Sequence, residues 1–295
     1  MNPDLLISLV GEQPTPIFLV HKALDPVQHL LVATSKDAVK RAANNIASTL
    51  NLPKSAILPD VDSYDIKAAA EKIENTVEDF LPNGVHIALN LTGGTKTMAL
   101  AGYELARKHK WRIYYLETRR NDEVLHRYDF TNAAEPPTGP HQEILPEILN
   151  ISDYISIHGF DPSGRGSTND PFEREIGHIL SGLPYEALHS FKTGQIEIDF
   201  IVRKGNRIAF IEAKSGNQAR KKSGIDQLHT AASPQHFGTY VNKMLIGDEL
   251  LPENNTILAN SRDIRTLATP SFRSSNHISE EDAQNLKTEL ERLFA

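Results

Sequence analysis

The feature that most constrains this chain is an alternation through its first 130 residues, in which short apolar runs are each followed by a stretch with helical spacing. The runs "LLISLV" (5–10), "HLLVAT" (29–34), "VHIALNL" (85–91) and "WRIYYLE" (111–117) are mostly apolar rather than alternating, as expected of strands covered on both faces. Between them, "KDAVKRAANNIASTL" (36–50), "IKAAAEKIENTVEDFL" (66–81) and the stretch from Thr95 to about His109 place apolar residues on one helical stripe. Interleaved strands and helices predict an α/β domain, Rossmann-like, with a mainly parallel sheet, and "VLHRYDF" (124–130) adds a strand.

At 295 residues the chain is long for one core, and composition marks a division. Residues 131–170 hold the Pro- and Gly-rich stretches "AAEPPTGP" and "GFDPSGRGSTNDP" around one apolar segment, so they read as a linker between domains at 1–130 and 171–295. In the second domain "PFEREIGHILSGL" starts a helix with Pro, and "IEIDFIVRKGNRIAFIEAK" reads as two strands about a Gly-Asn turn. "YVNKMLIG" is a further strand, and "SEEDAQNLKTELERLFA" a Ser-capped helix. The fold class expected is therefore α/β in both domains.

Several chemistries are excluded at once. The chain has no cysteine, which removes disulfides, thiolate nucleophiles and Cys-ligated metals, and none of its 12 histidines falls at HExxH spacing. No apolar run approaches the length of a membrane span and the start lacks a basic leader, so a cytoplasmic protein with no membrane partner is expected. Residues 1–130 carry 15 Lys+Arg against 16 Asp+Glu and residues 131–295 carry 16 against 22, so no global charge draws nucleic acid. Binding of that kind would need local patches, and "RKGNR" (203–207) and "ARKK" (219–222) are the candidates, each more simply read as a solvated turn.

The hairpin carries the first chemical constellation. Strand alternation puts Glu197 and Asp199 on one face of "EIDFIV" and Phe210, Glu212 and Lys214 on one face of "AFIEAKSG", so neighbouring strands bring Asp199, Glu212 and Lys214 together. Two carboxylates beside an ammonium suit a divalent cation, Mg²⁺ or Mn²⁺, held by Asp199 and Glu212 with the Ala213 carbonyl as a further ligand. Lys214 would orient a water and offset charge in the transition state. Glu173, on the preceding helix, is placed to reach the same metal or a second one. The plain alternative is a salt bridge, which the apolar character of "RIAFIEAK" opposes, because buried charge is costly. The pattern Asp199-x12-Glu212-x-Lys214 after a helix bearing Glu173 resembles the PD-(D/E)xK metal-dependent nucleases, with Ile198 where the usual Pro would stand. The resemblance implies a restriction-endonuclease-like fold and phosphodiester hydrolysis, and it draws attention to Gln227 in "GIDQLHT".

The second constellation is "NLTGGTKT" (90–97), a strand end, two glycines and a helix start. It is no Walker loop, since no glycine stands upstream at the required spacing, and no dinucleotide fingerprint; a purely structural turn stays open. The loop "SLVGEQPTP" (8–16) and the turn "TGGTKT" (92–97) both follow strands and would both lie at the carboxyl edge of the sheet, where open α/β folds bind ligands. Together "LVGEQ" and "NLTGGTKTMAL" resemble the CARF domain, the sensor of cyclic oligoadenylates in type III CRISPR antiviral defence, and with the nuclease core the chain resembles CARF-containing effector nucleases.

That resemblance implies a cyclic oligoadenylate activator, the tetra-adenylate being the expected ring, held by backbone N–H groups with Thr92, Gly93, Gly94, Thr95 and Lys96, and by Gln13 and Thr15 of the first loop. It also implies a homodimer that cuts DNA or RNA with little sequence preference. The chain departs from the family in its short connector and in Gly11 and Pro14, where small hydroxyl residues are expected. Two rivals stand beside this reading: a constitutive nuclease of the repair or restriction type, and a sensor whose carboxylates are structural or which degrades its own ligand.

Overall fold

A computed structural model describes residues 2–119, 122–166, 170–233, 235–238 and 240–295. The chain divides into two compact units, Met1–Ile148 with Ser156–Gly159, and Leu149–Ile155 with Phe160–Ala295.

In the first unit β1 (Leu5–Leu9), β2 (Gln28–Val32), β3 (Ile57–Leu58), β4 (Ile87–Asn90), β5 (Arg112–Thr118), β6 (Glu123–Asp129) and β7 (Thr138–Ile144) form one sheet in the order β3-β2-β1-β4-β5-β6-β7. The pairs from β3 to β5 are parallel, and β5-β6 and β6-β7 are antiparallel. The mainly parallel sheet is as expected, and its central strands β1, β2 and β4 are buried on both faces; every residue of β1 is buried. Helices α1 (Thr15–Leu24), α2 (Asp37–Thr49), α3 (Ile66–Thr76) and α4 (Lys96–His109) supply the connections. Val39, Ala43 and Ile46 of α2 pack with Val10, Ile17 and Leu31 in one core cluster, while Ala69 and Ile73 of α3 and Met98, Ala101 and Leu105 of α4 pack with Ile7, Leu9 and Leu89 in another.

Strand order runs outward from β1 in both directions, to β2 and β3 on one side and to β4 and β5 on the other. The connections leaving β1 and β4 therefore diverge, and a crevice opens between their carboxyl ends. This topological switch point is where the loop at 10–14 and the turn at 91–95 lie.

The interval 131–170 is more ordered than its composition suggests. Thr138–Ile144 is the edge strand β7, and Ile151–Ile157 is a helix, α5; residues 167–169 lie outside the described residues. All seven residues of β7 are exposed, so the strand has none of the apolar alternation that would announce it.

The second unit contains α6 (Pro171–Ser181), β8 (Glu186–Thr193), β9 (Ile196–Lys204), β10 (Arg207–Lys214), α7 (Ser223–Ala231), β11 (Asn242–Gly247), α8 (Glu253–Ser261), β12 (Ile264–Ala268), α9 (Ser271–Ser275) and α10 (Glu280–Phe294). Its sheet runs β12-β11-β10-β9-β8, antiparallel from β8 to β10 and parallel from β10 to β12. The β9–β10 connection is the Gly205-Asn206 turn. Phe172 and Ile176 of α6, Phe200 and Ile211 of the hairpin, Met244 of β11 and Leu286 and Leu290 of α10 share one core. Asp170 caps α6 by accepting from the Phe172 N–H, and Ser279 caps α10 by accepting from the Asp282 N–H. No helix among the described residues is long and apolar enough to cross a membrane.

Candidate functional site

The β9–β10 register sets Phe200 opposite Ile211, which carries Asp199 alongside Glu212. Both strands are buried on both faces here, with Ile198, Phe200 and Ile201 at 2% exposure or less, so the acidic side chains are forced inside rather than into solvent. Asp199 is 7% exposed and Glu212 1%. Asp199 Oδ2 accepts the Ala213 N–H at 2.8 Å and lies 3.6 Å from Lys214 Nζ. Lys214 Nζ also forms an ion pair with Glu212 Oε1, the more deeply buried of the two carboxylates. Three ionisable groups thus meet in one largely buried place with two potential negative charges and one positive.

Electrostatics follow from that count. Burial, and then the neighbouring Asp199 charge, push the Glu212 carboxyl well above its ordinary range, with Lys214 opposing. Asp199 is raised too, by burial, against the pull of Lys214 and the Ala213 N–H. Burial works to lower Lys214, yet Glu212 and Asp199 together outweigh it and the ammonium is held above its usual value. The pocket therefore favours a proton retained on Glu212 beside a charged lysine. A divalent cation suits this donor set, because two hard carboxylates stand side by side with only one positive charge between them.

Glu173 lies in the first turn of α6 and adds its charge to the field at Lys214. No group of three histidine or carboxylate side chains among the described residues is arranged to hold a metal, so the side-chain donors brought together are Asp199 and Glu212. Ala213 lies between them and Lys214 on β10, and its N–H is committed to Asp199. Gln227, on α7, donates to the Glu197 carbonyl of β9 at 3.5 Å. The same helix starts against the site: a Cβ placed on Gly224 would stand 3.3 Å from Lys214 Cγ.

Two acids escaped sequence reasoning. Asp170 accepts from the Ser215 hydroxyl at 3.4 Å, tying the α6 start to the residue after Lys214. Asp248, 3% exposed, accepts the Gly216 N–H at 2.8 Å through Oδ2 while Oδ1 has no partner. The available signal was an acid immediately after the apolar run "MLIG" (244–247). The "RKGNR" patch is absorbed structurally: Arg203 pairs with Glu186, Lys204 lies 5.5 Å above the Tyr185 ring and Arg207 donates to the Phe294 carbonyl. In "ARKK", Ala219 is buried and Lys222 faces Asp226 at 3.8 Å.

In the first unit, the loop after β1 and the turn after β4 touch backbone to backbone. A Cβ on Gly93 would stand 2.2 Å from the Leu9 carbonyl oxygen, and one on Gly11 3.4 Å from the Gly94 nitrogen. Gly94 takes φ +75°, which an L side chain rarely adopts. Glycine is thus required here for close approach as well as for conformation. Thr95 caps α4 by accepting the Met98 N–H, and its hydroxyl donates to the Ser63 carbonyl at 2.8 Å. The Thr92 hydroxyl donates to Asn90 Oδ1 at 2.6 Å and accepts the Leu116 N–H at 2.8 Å. Both hydroxyls expected to meet a ligand are therefore engaged in building the turn.

Gly93 and Gly94, at the start of a 14-residue helix, and the exposed Lys96, which has no ion pair among the described residues, are the groups presented to an anion. Gln13 and Thr15 are half-buried at the start of α1, whose first turn follows the same loop. Beneath the turn, buried Asn90 donates to Ser8 Oγ at 3.3 Å, Ser8 Oγ bonds His29 Nε2 at 2.8 Å, and the His29 and His21 Nδ1 atoms are 3.0 Å apart. Burial, then the charge of His21, holds His29 well below its usual pKa, and burial lowers His21 to about 4, so this polar chain is neutral support across β4, β1 and β2.

A family model for the Card1 CARF domain matches residues 5–154. The chain belongs to that family. The match spans the switch-point loops and the TGG turn, so both lie inside a CARF domain. Among solved structures, Can2 from Sulfobacillus thermosulfidooxidans, in complex with cyclic tetra-adenylate, is similar over 99% of this chain and 99% of its own, with TM-score 0.71 and 13% identity. Protein VC1899 from Vibrio cholerae is similar over 98% of this chain and 97% of its own, with TM-score 0.66 and 14% identity. A type III CRISPR defence DNA nuclease activated by cyclic oligoadenylate is similar over 84% of this chain and 46% of its own, with TM-score 0.59 and 16% identity. No curated protein sequence matches significantly. At these identities the likeness is one of fold: a CARF domain followed by a second α/β unit.

Proposed function

We propose that this protein is a cyclic-oligoadenylate-activated, metal-dependent nuclease of type III CRISPR defence, sensing through residues 1–130 and cutting through residues 171–295. The observation that carries the catalytic half is the buried meeting of Asp199, Glu212 and Lys214, two carboxylates against one ammonium; a purely structural ion pair has no use for the second acid. Asp199 and Glu212 hold Mg²⁺ or Mn²⁺, with the Ala213 carbonyl as a further donor. A cation bound there supplies Lewis acidity at the scissile phosphate and a more acidic water.

Any proton on Glu212, whose pKa burial raises, is displaced to solvent when a cation is held there. Lys214, kept protonated by its two acidic neighbours, places fixed positive charge beside the pentavalent phosphorus as negative charge builds. Glu173 contributes its charge at longer range, and the α7 start walls the pocket beside Lys214. The fold of a Can2 structure holding cyclic tetra-adenylate supports the activator class, and that of a CRISPR DNA nuclease supports phosphodiester cleavage. In the CARF domain, the Gly93-Gly94 N–H groups and Lys96 meet the activator's phosphates, with Gln13 and Thr15 at its margin, and Thr92 and Thr95 hold the turn in shape. Two copies of the chain share one symmetric ring, and the ring favours the cutting-competent arrangement; a ligand with equal affinity for both arrangements would shift nothing. The substrate is DNA or RNA in the cytoplasm, cut with little sequence preference.

Full-length Lys214→Ala tests the assignment. Turnover should drop by roughly 10²- to 10³-fold, with cyclic tetra-adenylate affinity unchanged. Cleavage at the wild-type rate would remove Lys214 from the mechanism.

A further inference from the structure

Connections at the carboxyl edge of the first sheet include one between β3 and α3 that no motif marks. Asp62 Oδ1 accepts the N–H groups of Tyr64 at 2.7 Å and Asp65 at 2.8 Å, and Asp65 in turn caps α3 by accepting from the Ala68 N–H. The Ser63 carbonyl accepts the hydroxyls of both Thr95 and Thr97, so this loop is fastened to the first turn of α4, next to the Gly93-Gly94 turn. On that rigid backbone Tyr64 is 85% exposed. Its phenol lies within electrostatic range of Lys36, which opens α2 and pairs with Glu12 of the loop after β1. Tyr64 thus stands where the connections after β1, β2, β3 and β4 meet.

A single exposed aromatic is ordinary on a protein surface. Tyr64 differs in that the backbone around it is held by two N–H bonds to Asp62 and by the Thr95 and Thr97 hydroxyls on the Ser63 carbonyl, so the ring projects from an anchored point beside the turn. A nucleotide needs two kinds of recognition, donors for the phosphate and a flat apolar surface for the base. The turn and Lys96 provide the first, and nothing in the turn provides the second.

We propose that Tyr64 is the stacking platform for a base of the activator, a purine ring whose adjoining phosphate sits on the Gly93-Gly94 turn. This rests on the reading of the CARF domain as a cyclic oligoadenylate sensor, and it assigns to the loop at 59–65 the part of the affinity that belongs to the base. Stacking recognises a π face rather than a hydrogen-bonding edge, so Tyr64 sets affinity and residence time more than it selects among bases.

The test is titration calorimetry of full-length protein with cyclic tetra-adenylate, comparing wild type with Tyr64→Ala, Tyr64→Phe and Tyr240→Ala, the last an exposed aromatic of the second unit. Tyr64→Ala should raise Kd by about 10- to 100-fold, the range expected for one lost base stack, while Tyr64→Phe and Tyr240→Ala stay within about threefold. Melting temperature should not change, since Tyr64 is exposed. In Tyr64→Trp, ligand should quench the new indole. Wild-type binding with Tyr64→Ala unchanged would overturn the Tyr64 assignment and leave the sensor reading standing. Absence of binding by wild type would overturn both.

Discussion

Replacing Glu212 with Gln separates a working site from a structural ion pair, because the two make opposite predictions for stability. The pocket holds two carboxylates for one ammonium, and Glu212, at 1% exposure, is the more buried of the two. Gln keeps the shape, removes the surplus acid and offers an amide N–H toward Asp199 where a titratable proton now serves. Removing a carboxyl that burial and a neighbouring like charge disfavour is worth about 1 to 3 kcal/mol, or about 3 to 9 °C in melting temperature for a unit of this size. The sign with pH is fixed by linkage. Glu212's folded pKa lies above its unfolded value, so its favourable contribution is complete below the unfolded pKa and is lost as pH rises through the folded one.

The gap between Glu212→Gln and wild type should therefore be widest at pH 8 and close as pH falls toward the ordinary glutamate range. Differential scanning calorimetry of metal-free protein between pH 5 and about pH 8 reads this directly, and cleavage should be abolished throughout. A variant that melts below wild type at pH 8 would show that Glu212 is held by a favourable pair with Lys214, and would refute the reasoning.

Gly93→Ala should lose about 2 to 4 kcal/mol of stability and bind cyclic tetra-adenylate poorly, because the new Cβ would meet the Leu9 carbonyl oxygen at 2.2 Å; thermal melts showing no loss would mean the turn relaxes freely. Mn²⁺ binding to wild type should release a proton, since Glu212 retains one in the metal-free pocket, so affinity should weaken by up to about tenfold per pH unit on acidification. Calorimetry in buffers of different ionisation enthalpy measures that proton, and a value of zero would contradict the raised Glu212 pKa.

Much of the site was legible because strand geometry is periodic. Asp199, Glu212 and Lys214 fall on matching faces of two strands joined by a two-residue turn, and once Gly205-Asn206 sets the register their meeting follows. The TGG turn was legible for a related reason: glycine pairs between strand and helix mark a backbone demand. What remained hidden depends on distance in space. The Thr92 and Thr95 hydroxyls look free in sequence, yet their partners Leu116 and Ser63 are far along the chain. Glu173 sits on a helix whose packing against the hairpin no local spacing reveals, so its charge at Lys214 shows only in the folded structure.

Among the elements, α1 went unread because its buried stretch Ile17–Val20 is a continuous apolar run, which has no helical period. The half-buried β8, "EALHSFKT", lacks an apolar face, and β7 lacks one entirely.

The central claim is that a ligand at the CARF domain controls chemistry at Asp199, Glu212 and Lys214. The most direct measurement is cleavage of plasmid, single-stranded DNA and RNA with Mn²⁺ or Mg²⁺, with and without cyclic tri-, tetra- and hexa-adenylate. Cutting should require one of these rings and a divalent cation. Equal cutting with and without every ring would contradict the claim and leave a constitutive nuclease.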